Sequence, residues 1–357
     1  MRRFVHLVLA CLTLSPLARV ETANGAMTLT SGAAAAGFTL TTFADGFPNS
    51  GGVGPVGIGF TSGGGVIVSS YAVGRNAVFP TDTDGQHYSG AAISSSSYAT
   101  PSGIANVGST LYQALQGPGT VIQIDTSGNF IMTIQTGMAS ATDIVANPIN
   151  GHLFVSTPGV ANIWNVDPIA MTKTLFKSGV NFDGITINAS GTTLYGANLS
   201  DGSIEGYDTT TGTKVFDSGS IPGGIDGSAL GTGTLAGNIF VNTNGGTIVE
   251  VNLTTLSQTL IASGGSRGDL VKVDPNGSLL LTQTDSVLRL TGPTGGGFGT
   301  VPEPSTLTMF SIGFLSLLSY RRGDTIRRTV KCVPLGFRQW SHWTFGKSSS
   351  PCTDAAA

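Results

Sequence analysis

The chain has 357 residues, 52 of them glycine, with 10 % charged residues and a formal net charge of −3. That total hides an asymmetry, because residues 27–300 hold seven Lys or Arg against sixteen Asp or Glu, a formal charge of −9. An acidic segment without a basic cluster lacks the footprint of a nucleic-acid partner, and the three cysteines (Cys11, Cys332, Cys352) all lie outside it, which excludes a disulfide, a thiolate nucleophile or a Cys-based zinc site there.

The chain opens with Met1-Arg2-Arg3, an almost wholly apolar run from Phe4 to Leu14, and small residues around Ala23-Asn24-Gly25-Ala26. A basic start, an apolar core and a small-residue cleavage zone define a secretory signal peptide over residues 1–26. Function therefore has to be carried by residues 27–300, a length that suits one large all-β domain.

Within that segment one phrase recurs. An Asp- or Gly-led apolar strand is followed by a turn, a second strand built on Leu-Tyr, Leu-Phe or Ile-Phe, and a third strand ending in Asp or Asn. The second-strand markers Leu111, Leu153, Leu194 and Ile239 are 42, 41 and 45 residues apart, and the third-strand ends Asp125, Asp167, Asp208 and Asn252 are 42, 41 and 44 apart. Two landmarks that keep a period of about 42 point to the four-stranded blades of a β-propeller, which occupy about 40–50 residues each. Segments beginning at Val56 and Gly268 add a first and a last blade, so the expectation is an all-β, six-bladed propeller over residues 27–291 with its blades at about 54–291. A seven-bladed ring would have to draw its extra blade from Gln86–Thr100. The last blade shows only three strands and residues 38–44 (FTLTTFA) form an orphan strand, so pairing the two closes the ring and removes exposed edges. Turn pairs Asn150-Gly151, Asp201-Gly202 and Asn276-Gly277 sit where hairpins need residues tolerant of positive φ.

Asp143, Asp183, Asp226 and Asp269 open the inner strands of four successive blades at spacings of 40, 43 and 43. Equivalent positions in a propeller share a radius, so these carboxylates form a candidate ring at the channel mouth. Such a ring could hold Ca2+ or another divalent cation through oxygen ligands. The plainer reading is that each Asp caps the backbone entering its strand. Asp125, Asp167 and Asp208 precede turns and read as structural. Asp82-Thr83-Asp84-Gly85 resembles the opening of a Ca2+ loop without the acid that closes one, so it reads as a β-turn. No nucleophile elbow is present.

Strands of the type Asp183-Gly184-Ile185, followed by a turn and Thr193-Leu194-Tyr195, resemble blades of the NHL and gluconolactonase (SMP-30) group of propellers. The gluconolactonase-like members imply a divalent metal held by an early Glu, Asn residues and a late Asp. Asp226 matches the late Asp by its place in the ring, but the first inner strand has no Glu and the Asn ligands have no assignable counterparts. Lyase-type relatives imply a His base, whereas His87 and His152 both read as surface residues. These departures favour a binding or scaffold module over an enzyme, with a metal-dependent lactonase- or lyase-like activity as the alternative.

Residues 292–300 read as a Gly-rich linker. Val301-Pro302-Glu303-Pro304-Ser305, sixteen uncharged residues to Tyr320 and the pair Arg321-Arg322 follow in that order. The stretch 301–322 resembles the PEP-CTERM sorting signal of exported bacterial proteins, which implies a short membrane helix, an exosortase-type transpeptidase as partner and a destination in the cell envelope, at the cell surface or outside the cell. Extracellular polysaccharide or envelope proteins are the partners such a location suggests. Residues 323–357 run on past the point where such signals end.

Overall fold

The structure is a computed structural model that describes residues 26–299. The leader, apart from Ala26, the sorting signal and the tail lie outside the described residues.

Six antiparallel sheets form six blades. Blade 1 comprises Pro55–Phe60, Val66–Ser70, Arg75–Phe79 and Ala92–Ile93; blade 2 comprises Pro101–Val107, Thr110–Leu115, Thr120–Ile124 and Phe130–Gln135. Blade 3 follows with Ile144–Ala146, Leu153–Thr157, Asn162–Asp167 and Thr172–Ser178, and blade 4 with Phe182–Ile187, Thr193–Asn198, Ser203–Asp208 and Lys214–Ser220. Blade 5 contains Ile225–Gly233, Asn238–Thr243, Ile248–Asn252 and Gln258–Ser263. Blade 6 contains Val271–Val273, Leu279–Thr282 and Val287–Thr291, and its fourth strand is the N-terminal Thr39–Asp45, paired antiparallel to Val287–Thr291. The orphan strand thus closes the ring as its sequence position implied, and each inner strand touches the next all the way round.

The periodic markers are core residues because the blades stack face to face. Leu111, Leu153, Leu194 and Ile239 all lie on second strands and are buried. Third-strand ends behave as turn formers: Asp125, Asp167, Asp208 and Asn252 each accept two backbone N–H bonds from the following hairpin. At the closing seam Phe43 and Phe47 pack against Phe79 of blade 1, with ring centroids 5.4 and 6.0 Å apart.

Three segments take roles that local patterning did not reveal. Gln86–His87 adds in parallel to the closing strand and Ala92–Ile93 is the outer strand of blade 1, so Gln86–Thr100 supplies no seventh blade. Thr28–Leu29 covers the outer edge of blade 5, followed by a short helix Ser31–Ala36 with Thr30 as its N-cap. Part of the Gly-rich 292–299 stretch is also folded: Gly296–Phe298 pairs with Gly231–Gly233, and Phe298 is buried against Phe240 with centroids 4.9 Å apart. Gly supplies little burial of its own, so Phe298 is what anchors that strand.

A candidate ligand site at the channel mouth

The inner strands begin with an irregularity that repeats around the ring. Between Pro55 and Ile58, Pro101 and Ile104, Phe182 and Ile185, and Ile225 and Ser228, the inner strand spends one residue more than its partner. Each is a β-bulge, a device that bends a strand and re-aims a side chain. The bulged pairs are Val56-Gly57, Ser102-Gly103, Asp183-Gly184 and Asp226-Gly227. Their glycines are required by close approach of the next blade: an added Cβ would lie 2.0 Å from the Ser102 carbonyl oxygen at Gly57 and 2.6 Å from the Asp226 carbonyl oxygen at Gly184.

Asp269 occupies the corresponding place in blade 6, whereas in blade 3 that place is Thr142 and Asp143 stands one residue further on, where blades 1, 2, 4 and 5 carry the bulge glycine, so three of the four sequence-predicted residues sit at equivalent positions. Asp226 is 1 % exposed, Asp269 5 % and Asp143 9 %, and Asp183 is partly buried. The carboxylates feel one another: Asp269 and Asp143 act on Asp183, and Asp183, Asp269 and Asp143 act on Asp226. The remaining ring positions carry no charge, being Val56 in blade 1, Ser102 in blade 2 and Thr142 in blade 3.

Only one of the four performs the capping role expected of a turn-forming Asp. Asp143 accepts from its neighbour Ile144 N at 2.8 Å and from Ile185 N of blade 4, also at 2.8 Å, tying the two blades together. Ser156 supports the same junction, accepting from Asp143 N at 2.9 Å and donating to the Asp183 carbonyl at 2.6 Å. Asp226 is different. Neither of its carboxylate oxygens, nor Asp269 Oδ2, finds a donor among the described residues, although all three atoms are buried. Buried polar atoms normally pair, so three orphans in one place mark a site.

Two cations that sequence reasoning overlooked act on these carboxylates, one at Asp226 and Asp269 and one at Asp143. Arg267, on the loop between blades 5 and 6, places Nη2 2.5 Å from Asp269 Oδ1 and 4.0 Å from Asp226 Oδ2. Its Nε donates to Asn244 Oδ1 of blade 5 at 2.9 Å, which fixes the fork. Lys272 projects from the inner strand of blade 6 and acts on Asp143 of blade 3, across the ring. No periodicity pointed to either residue. The readable signal was the small set of seven cations in residues 27–300, two of them within three residues of Asp269.

Electrostatics follow from crowding and burial. Burial pushes Asp143 up to about 6 against the pull of Lys272 and its two backbone donors. Burial, with Asp269 and Asp143 adding repulsion, pushes Asp183 up to about 7. Asp269 rises to about 6, burial outweighing Arg267. Asp226 is raised well above the ordinary carboxylate range by burial and then by Asp183 and Asp269. Burial lowers the Lys272 amine, with Asp143 opposing.

The other sequence candidates disperse. His87 lies on the surface, 2.5 Å from Asp45, and His152 contacts Asn165 and Asp167 at the edge of blade 3. Asp82 and Asp84 bind Arg289 of blade 6. A depression of about 400 Å3 lined by Thr61, Ser62, Pro80 and Thr126 lies away from the carboxylates, and no titratable side chain lines it.

No family model matches the chain, and no curated protein is detectably similar in sequence. Solved structures do match its fold. The gluconolactonase XC5397 of Xanthomonas campestris is 14 % identical with a TM-score of 0.59, over 75 % of this chain and 95 % of that one. A luciferin-regenerating enzyme is 12 % identical with a TM-score of 0.58, over 74 % and 99 %. A streptogramin B lyase is 13 % identical with a TM-score of 0.50, over 71 % and 98 %. The fold is that of the gluconolactonase-like six-bladed propellers.

Proposed function

We propose that this protein is an exported bacterial cell-surface propeller that binds a ligand at the channel mouth of blades 3–6 and serves as a binding or scaffold module in the envelope or matrix. The observation that carries this reading is the orphaned buried polar set, Asp226 and Asp269 with the partly exposed Arg267 and Asp183 in front of it. Folding gains nothing from unpaired buried carboxylate oxygens. A polyhydroxylated ligand such as an extracellular polysaccharide supplies the missing donors and accepts from Arg267 and Lys272. Placement at the surface rests on the leader and on the PEP-CTERM-like stretch 301–322, with an exosortase-type transpeptidase as the sorting partner.

A polysaccharide binding screen on the exported protein, run beside an Asp183→Asn/Asp226→Asn variant, tests this. Saturable binding that the variant loses supports the reading. Binding that the variant keeps moves the ligand away from the channel, and no binding to any envelope glycan or protein removes the proposal.

A second reading has one observation in its favour. Two buried carboxylates raised above their ordinary range beside one guanidinium, at 2.5 and 4.0 Å, are the parts of an acid–base pair, and solved proteins of this fold include a gluconolactonase and a lyase. Lactone hydrolysis or glycan cleavage lost in Asp226→Asn would convert the binding module into an enzyme.

A further inference from the structure

The gluconolactonase-like resemblance implies a resident divalent metal, and the acidic ring looks at first like its cage. Its donor set does not fit. An oxygen cage for Ca2+ gathers its ligands at about 2.3–2.6 Å around one point, and among the described residues no three Asp, Glu, His or Cys side chains are so gathered. The place between Asp226 and Asp269 is served instead by the Arg267 guanidinium, 2.5 Å from one and 4.0 Å from the other. Asn244 holds that guanidinium from behind at 2.9 Å. Lys272 brings a second positive charge to the same channel, toward Asp143. Blades 1 and 2 contribute Val56 and Ser102 where further acidic donors would have to stand.

We propose that Arg267 is the resident cation of this site, a protein-borne charge standing where the fold's metal-bearing members hold an ion, so that the channel mouth takes no divalent cation. The guanidinium is anchored on two blades and cannot leave. A divalent ion brought within reach of Asp226 and Asp269 would meet it at close range, and like charges in a buried site repel with little screening. Removing the guanidinium reverses the balance. Asp183, Asp226 and Asp269 would then face one another with no cation acting on them, and crowded carboxylates are relieved by binding a cation.

The test uses the exported protein, stripped with chelator and titrated by calorimetry with Ca2+, Mg2+, Mn2+ and Zn2+, beside Arg267→Ala, Arg267→Gln and Arg267→Ala/Asp226→Asn, with circular dichroism to establish folding. Expected are no saturable binding by the wild type, one-site binding tightened by about 100-fold or more in the Arg267 variants, and its loss in the double variant. Saturable one-site binding by the wild type that Asp226→Asn abolishes would overturn the proposal. So would a folded Arg267 variant that takes none of the four ions. Should Arg267→Ala fail to fold, Arg267→Gln and the wild type carry the decision. Glycan binding is read separately, so failure here and failure of the ligand-binding role are distinguishable.

Discussion

Two clusters of buried charge lie in this propeller, made from the same residue types and resolved in opposite ways. At the closing seam Arg289 donates Nε to Asp84 at 2.7 Å, Nη2 to Asp82 at 2.5 Å and Nη1 to Asp274, with its guanidinium 5.6 Å from the centroid of the Phe43 ring. Asp274 also accepts from Asn276 N and Ser278 N, and Asp84 from the Thr41 hydroxyl of the closing strand. Five of the six carboxylate oxygens have donors; only Asp82 Oδ2 has none. At the channel mouth the ratio is inverted, with one of the four oxygens of Asp226 and Asp269 paired to Arg267. A satisfied cluster explains itself as structure. The unsatisfied one persists at a cost to stability, which is the ordinary signature of a site.

Breaking the satisfied cluster should produce the largest effect. Burial works against the Arg289 charge, yet Asp82 and Asp84 outweigh it and raise its pKa. Arg289→Met leaves three carboxylates without their cation, one of them, Asp274, fully buried. Loss of one partner from a buried pair typically costs about 3–5 kcal/mol, and the urea midpoint should fall accordingly. The closing strand is held by this cluster, so hydrogen exchange should accelerate first over Thr39–Asp45. A loss below about 1 kcal/mol would mean that the seam is held by Phe43 and Phe47 alone.

At the channel mouth the same kind of change should act in the opposite direction. Asp226→Asn removes a carboxyl that must otherwise hold a proton or stand orphaned, so stability at pH 7.5 should rise by about 1–2 kcal/mol while ligand binding is lost. A destabilisation of similar size would show that Asp226 is a structural member of the ring.

The pH dependence sharpens the contrast. Asp143, Asp183, Asp226 and Asp269 have folded-state pKa values above that of an unfolded Asp, so between about pH 4 and pH 7 the native state binds more protons and stability falls as pH rises. Groups shifted the other way set the acid limit. Asp167 is held down by the Ala170 N–H, Asp208 by the Thr211 N–H and Asp217 by Lys214, and their contributions disappear as pH falls below the ordinary carboxylate range. The melting temperature should peak near pH 4 and drop by about 5 °C toward pH 8. In Asp183→Asn/Asp226→Asn the drop should flatten. An unchanged slope in that variant would place its origin elsewhere.

Most of the scaffold could be read from the chain because its landmarks are periodic or local. Leu111, Leu153, Leu194 and Ile239 recur with the blade period because each fills the same seam against the preceding blade, and Asp125, Asp167 and Asp208 bond amides two to four residues away. The closing strand was legible from what the last blade lacked. Non-local chemistry was not. Asp82 and Asp84 looked like half a Ca2+ loop, and their cation comes from Arg289, more than 200 residues on. Arg267 and Lys272 reach Asp226 and Asp143 only once the ring has closed. The four acidic positions were found by spacing, yet Asp143 falls one residue past the place of the other three and caps the next blade there, while Asp226 stays orphaned, a one-residue offset that contributes to the short first spacing of 40 against 43 and 43. Recurrent Val-Gly, Ser-Gly and Asp-Gly pairs at the inner-strand starts were the available clue to the bulges.

The smallest effect offers the cleanest control, because it repeats one substitution in two settings. Asp125 Oδ1 accepts from Ser127 N at 2.9 Å and Asn129 N at 2.8 Å in an exposed hairpin turn. Its charge is solvated, so what the turn uses is an acceptor oxygen, and Asn retains one. Asp125→Asn should therefore lie within about 0.5 kcal/mol of the wild type, whereas Asp125→Ala, which removes both bonds, should cost about 1 kcal/mol. Set beside Asp226→Asn, the pair separates loss of charge from loss of an acceptor. If Asp125→Asn and Asp226→Asn shift the urea midpoint equally, the channel-mouth carboxylate is an ordinary turn former and the contrast between the two clusters collapses. If only Asp226→Asn raises it, the buried charge itself is what the fold tolerates there.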